Sequence, residues 1–391
     1  MNLTRGTRDS GFGIRDSRLG IRRALAIMLA CGVLAGSGDA RSTPSAPGVP
    51  LTAEALPSQI SDAEFWKLVG ELSEPEGSFP FDNFVSNETT IQSVIPVLQA
   101  KARPGGAYLG VGPEQNFTYI AALQPKSAFI IDIRRQNLLE HLMYKALFEM
   151  SADRADFVSR LFSRKRPPGL GKASTAAELF RAYEAAPADQ RLFDSNLRAI
   201  VDNLTSSHHL PLGPRDLASL SYVYTAFFRE GPGLSFSAAG AADASMPTYA
   251  DLMTQTDANG QHHSYLANEE RYVIVRKLQG DNLVIPIVGD FGGQTALRDV
   301  GRYLSSHGTT VTAFYLSNVE RYLFDRRRSW RRFYTNVALL PYDDKSIFIR
   351  AILNRPASTL VTLLSPIADL MRAFEDGRIH EYQDVFSIAN Y

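Results

Sequence analysis

The stretch from Ala107 to Met150 constrains this chain most. Ala107-Tyr108-Leu109-Gly110-Val111-Gly112 is a short apolar run that opens into a glycine turn. Asn116 to Leu123 has helical spacing, and Ser127-Ala128-Phe129-Ile130-Ile131-Asp132-Ile133 has the composition of a buried strand. Gln136 to Met150 then repeats apolar residues at helical intervals, with Leu138, Leu139, Leu142, Met143, Ala146 and Leu147 on one side. Strand, helix, strand, helix in this order predicts a parallel α/β sheet, because parallel neighbours need a crossover.

The alternation resumes later. Leu283–Asp290 and Thr310–Leu316 read as strands, with helices over Asn268–Gln279 and Thr295–His307. Val337–Leu340 and Ser346–Arg350 are expected as the last strands, and Val361–Phe374 as a closing helix. Ser61 with Glu64 three residues on predicts a capped helix over Ser61–Val69. Between the two alternating parts, residues 151–247 carry only helical patterns and Pro/Gly breaks. The expected organisation is therefore a core in two parts, 60–150 and 248–391, interrupted by a helical insertion over 151–247.

Residues 1–59 are not expected to belong to the fold. Residues 1–23 hold six arginines and a seven-residue echo, and Ala24–Ala35 is uncharged and mostly apolar. Twelve such residues behind Arg22-Arg23 suit a secretory signal and are too short to span a bilayer. The signal, residues 1–40, ends in one of two ways: cleavage after Ala40, or lipidation of Cys31 in Leu29-Ala30-Cys31, which resembles a lipoprotein box. Residues 41–59 then form a tether. An exported protein follows, in the periplasm or anchored by lipid, with a cytoplasmic protein as the alternative if the start site is over-extended. Contact with a membrane is expected only through this N-terminus.

The whole chain has 41 basic and 41 acidic residues. Cleavage after Ala40 would leave 35 basic and 38 acidic, a net charge of −3. A generic nucleic-acid binder should be clearly basic, so no nucleic-acid partner is expected. Cys31 is the only cysteine, which excludes an internal disulfide.

The glycine turn at Gly110 and Gly112 lets backbone approach a ligand, and the helix behind it offers unpaired N–H groups. Asp132 lies twenty residues after Gly112 at the end of the second strand, placed to accept both hydroxyls of a ribose. A full dinucleotide fingerprint would have glycine where the chain has Gln115, and a G-x-G-x-G motif would have it at Glu114. The alternative is that both glycines only shape the turn and that Asp132 caps the next helix.

These blocks resemble the class I S-adenosylmethionine-dependent methyltransferases. Tyr108–Asp132 is similar to their first two motifs, Val284–Gly293 to their fourth strand and loop, and Val311–Glu320 to their fifth. With Arg134-Arg135-Gln136-Asn137, the blocks are also similar to an uncharacterised bacterial family of methyltransferase-like proteins. The resemblance implies a Rossmann-like sheet, S-adenosylmethionine as cofactor, and a small-molecule or protein substrate it does not identify. It places Gly110, Gly112, Glu114, Asp132, Asn87 and Glu88 around the cofactor. Phe81, Asn83, Phe291, Asn318 and Glu320 would face substrate, with Asp290 as a base or a group orienting the nucleophile. Asp290 could equally cap the helix at Thr295. The alternative function is an exported binding or scaffolding protein that keeps the fold without catalysis.

Other signals are thinner. No metal site is expected from the pairs His208-His209 and His262-His263, since adjacent residues point apart. Five arginines with aromatics over Asp325–Tyr334 read as a solvated helix face or an anion-holding patch. No G-x-S-x-G, Walker loop or H-E-x-x-H is present, so hydrolase, P-loop and zincin readings have no motif behind them.

Overall fold

The computed structural model describes residues 55–236, 246–326, 329–354 and 359–388. Residues 1–54, on which the expected signal and most of the expected tether fall, lie outside them. Six strands form one sheet: β1 (Ala107–Gly110), β2 (Ser127–Asp132), β3 (Val284–Val288), β4 (Val311–Ser317), β5 (Ile347–Asn354) and β6 (Thr359–Pro366). Their order is β3-β2-β1-β4-β5-β6. Every neighbouring pair is parallel except β5 and β6, which are antiparallel. The strand centres are mostly apolar, as a sheet covered on both faces requires, with Arg350 of β5 and Thr362 of β6 as buried polar exceptions.

Helices make the crossovers. The first stretch holds α1 (Asp62–Leu72), α2 (Ile95–Lys101), α3 (Gln115–Leu123) and α4 (Arg135–Met150). Then come α5 (Arg154–Phe162), α6 (Ala176–Ala185), α7 (Gln190–Asp202), α8 (Pro214–Glu230) and α9 (Tyr249–Thr254), with no strand among the described residues between them. The last group is α10 (Glu269–Gly280), α11 (Ala296–Ser306), α12 (Val319–Asp325), α13 (Ser329–Val337), α14 (Ile367–Glu375) and α15 (Asp384–Ser387). Ser61 caps α1 by accepting from the Glu64 N–H, as its spacing predicts.

Three sequence expectations need correction. Val337–Leu340 is not a strand: Val337 ends α13, and a turn closed by Leu340 N–H on Val337 O follows. Val361–Phe374 is not one helix. Its first part is β6, which pairs residue for residue with β5, and Pro366 marks the change to α14. Leu360, Thr362 and Leu364 are buried while Val361 and Leu363 are only partly so, a period of two that a leucine-rich run hides. Lastly, Val284–Val288, matched above to a fourth strand, is the third and pairs with β2; Val311–Ser317, matched to a fifth, is the fourth and pairs with β1. The long helical stretch precedes β3, so the strand that returns after it adds to the outer side of β2.

Candidate functional site

The strand order reverses between β1 and β4. In open α/β sheets the crevice outside the carboxyl ends at such a reversal binds ligands. A cleft of about 850 Å³, counted to its open mouth, lies there. Val111 and Gly112 follow β1 into it, Asp132, Ile133 and Arg134 come from β2, Gly289, Asp290 and Phe291 from β3, and Ser317, Asn318 and Val319 from β4. The segment before β1 supplies Phe79, Asn83, Ser86 and Asn87.

The glycine turn is held from inside. The Asn116 side chain donates to the carbonyls of Val111, Gly112 and Pro113 at 3.0, 3.1 and 2.7 Å and accepts from the Tyr108 hydroxyl at 2.8 Å. A Cβ on Gly110 would collide with Asn116 Oδ1, so glycine is required there by packing. Gly112 has φ +75°, a conformation that side chains rarely adopt. His141, beneath the turn, donates Nε2–H to Gly112 O at 2.9 Å. Burial pulls its pKa down to about 4, so the ring is neutral near pH 7.

Asp132 is already engaged. Arg134 grips it through Nε on Oδ1 at 3.0 Å and Nη2 on Oδ2 at 3.1 Å, and the Arg134 N–H adds a bond to Oδ1 at 2.9 Å. Arg134 Nη1 also donates to the carbonyls of Phe81 and Asp82. One guanidinium thus ties the 79–83 segment to the end of β2. The carboxylate keeps one open acceptor position, on Oδ2, where the sequence suggested two ribose hydroxyls.

Asp290 sits on the cleft wall. Oδ1 accepts from Gly292 N–H at 2.9 Å, and Oδ2 pairs with Arg326 at 3.4 Å. It does not cap α11. That position is filled from another part of the chain by Glu74, which accepts from the N–H groups of Asp290 and Ala296 at 3.2 and 3.0 Å.

Of the twelve residues singled out from the sequence, seven line the cleft: Gly112, Asp132, Asn83, Asn87, Asp290, Phe291 and Asn318. Five do not. Gly110 is packed under the turn. Glu114 is buried behind it, and burial pushes its pKa up to about 8. Glu88 is buried between β4 and β6. Glu320 is buried in an ion pair with Arg350 at 2.6 Å and also accepts from the Tyr334 hydroxyl at 2.5 Å. Phe81 lies outside, half exposed, its ring 5.7 Å from Phe79 and 5.6 Å from Phe236.

Sequence reasoning missed Arg134, Gln115, Ser86, Tyr322 and Arg326. Arg134 had a readable signal, a cation two residues after the strand-end acid. Tyr322 and Phe79 meet edge to face at 5.5 Å and come together only through the fold. His208, from the region after α7, bridges Asp62 and Glu149 at 2.8 and 2.6 Å instead of meeting another histidine. Among the described residues no group of three or more His, Cys, Asp or Glu is arranged to hold a metal ion. No described helix is long and apolar enough to cross a membrane.

Fold and cleft define an α/β protein with a mostly parallel six-stranded sheet and an open crevice where the strand order turns. The chain belongs to the family of a domain of unknown function, DUF7790, whose model matches residues 83–369. That span contains every cleft residue named above except Phe79. No curated protein matches the chain.

Proposed function

We propose that this protein is methyltransferase-like and binds S-adenosylmethionine, or a closely related adenosine-bearing ligand, in the cleft. One observation carries the reading: Gly112 at the end of β1 and Asp132 at the end of β2 share one crevice at the reversal of strand order. A Rossmann-like order of the five parallel strands agrees with it. Asp132 would take one ribose hydroxyl on its open Oδ2 position. Phe291 and Ile131 offer apolar wall for a base, and Asn83 and Asn87, which also line the cleft, would meet the remainder of the ligand. The bound cofactor would supply an activated methyl group. The chain's own part is to hold the nucleoside and to shield it under the Phe79–Asn87 segment.

The second reading is binding without catalysis. It draws on Asp290, the candidate base, having both oxygens occupied by Gly292 and Arg326. Calorimetric titration of the full chain with S-adenosylmethionine and S-adenosylhomocysteine tests the common part. Micromolar binding, weakened at least tenfold by Asp132→Asn, supports the cofactor site. Failure of folded protein to bind either ligand overturns it. Turnover of labelled S-adenosylmethionine against candidate acceptors separates catalysis from mere binding.

We also propose that residues 1–40 direct export, ending at Ala40 or at a lipidated Cys31. The mass of the mature protein from cells decides: loss of forty residues, a lipid-modified Cys31, or an intact N-terminus that refutes export.

A further inference from the structure

Ser317 ends β4, and α12 begins two residues later at Val319. Its φ is +50°, and the β4–β5 register shifts between Tyr315 and Ser317. A non-glycine residue held in this region at the end of a strand is strained, and such strain gathers at functional sites. Ser317 lines the cleft and is partly exposed, while its Oγ donates to Glu88 Oε1 at 2.7 Å. Glu88 is fully buried. Tyr315 also donates to Oε1, and Thr362 donates to Oε2 at 3.3 Å. Gln115, another cleft residue, donates to the Tyr315 hydroxyl at 3.1 Å. A bridge from Glu88 to Leu360 fixes the backbone.

Nucleophile, acid and orienting partners are thus arranged in series from the cleft inward, which is the logic of an activated serine. The sequence hid this arrangement. The usual elbow has glycines two residues either side of the serine, and here Tyr315 and Val319 stand there. Tyr315 uses its position to hold Glu88 instead.

We propose that Ser317 is a nucleophile activated by Glu88, acting on an ester whose acyl or aryl group fits the apolar wall of the cleft. In the first step Ser317 Oγ bonds to the acyl carbon while its proton passes to Glu88 Oε1. The bond from the acyl carbon to the alcohol oxygen breaks, and the alcohol leaves with that proton. Water then repeats the exchange, giving the free acid and restoring Ser317. Phe291, Val319 and Leu323 provide the apolar wall, and Asn87 and Asn318 line the same cleft, where their amides would donate to a carbonyl oxygen.

Burial raises the Glu88 pKa above the ordinary carboxylate value, while its hydroxyl donors Tyr315, Ser317 and Thr362 oppose the rise. The titratable groups that act on or are acted on by it are Tyr108, Tyr119 and Tyr315, all kept neutral by burial.

The test is labelling of the full chain with a fluorophosphonate, followed by peptide mass spectrometry. One adduct is expected at Ser317 and none there in Ser317→Ala. Glu88→Gln, checked for an unchanged melting transition, should slow labelling about 100-fold, the scale of a lost general base. Should that variant not fold, the pH–rate profile of the unaltered protein replaces it: the rate should rise through one ionisation above the usual carboxylate range. No adduct at Ser317 in folded protein, or a rate flat between about pH 5 and 9, overturns the proposal. Titration with S-adenosylmethionine reads cleft occupancy and labelling reads Ser317, so either reading can fail alone.

Discussion

Arg134 clamps Asp132, two residues before it, through both carboxylate oxygens, and both side chains are more than nine-tenths buried. The same guanidinium holds the carbonyls of Phe81 and Asp82, so the acid, the strand end and the segment over the cleft form one unit. Breaking a buried pair by removing one partner costs about 3–5 kcal/mol, because a charge is left unpaired. Arg134→Gln should therefore lower unfolding free energy by that order in urea titration. Asp132→Asn leaves the buried Arg134 guanidinium without its counter-charge and should cost a similar amount while also weakening nucleoside binding. A negligible loss of stability in either variant would contradict the pairing.

Gly110 is fixed by Asn116 rather than by a ligand. A Cβ at Gly110 would strike Asn116 Oδ1 and the Tyr108 ring. Gly110→Ala should destabilise by about 1–3 kcal/mol through overpacking. Pairing it with Asn116→Ser should recover part of the loss, as a double-mutant cycle would show by non-additivity. Full additivity would mean that the clash is relieved in some other way.

His208 predicts a pH dependence. Hydrogen bonding to Glu149 and then to Asp62 raises its pKa above the usual histidine value, against the effect of burial. A raised folded-state pKa means that the stabilisation is complete below the unfolded value of about 6.5 and lost as pH rises through the higher folded value. The melting temperature of the unaltered protein should fall between neutral and mildly alkaline pH. His208→Asn should flatten that fall and lower stability near pH 6. A variant with the same alkaline slope as the parent would show that other groups carry it.

Glu320 and Arg350 make a second buried pair, far from solvent and joined by Tyr334 and Ser365. Arg350→Met alone should cost about 3–5 kcal/mol, because Glu320 would keep a buried charge. Adding Glu320→Leu should restore much of it, since apolar replacements of both partners are often neutral. Ligand binding in the cleft should be little changed in the double variant, because neither side chain lines it. A large change in affinity would place Glu320 back among the binding groups.

Local chemistry made much of this legible from residues alone. Apolar runs bounded by turns mark β1 to β4, Ser61 and Glu64 mark the start of α1, and the glycines and Asp132 mark the edge where Gly112 and Asp132 do meet in one cleft. These features depend on spacing within a few residues, which a single sequence displays. What the residues could not give was pairing across long separations. β6 reads as a helix until its hydrogen bonds to β5 impose a period of two. Val284–Val288 takes its place beside β2 only when the sheet assembles. Asp132 looks open until Arg134 folds back onto it, Glu320 looks like an edge residue until Arg350 buries it, and Glu88 becomes a partner of Ser317 only because β4 and β6 close around it. Desolvation sets that division: sequence fixes which groups are polar, and only packing decides which of them lose water and must find each other.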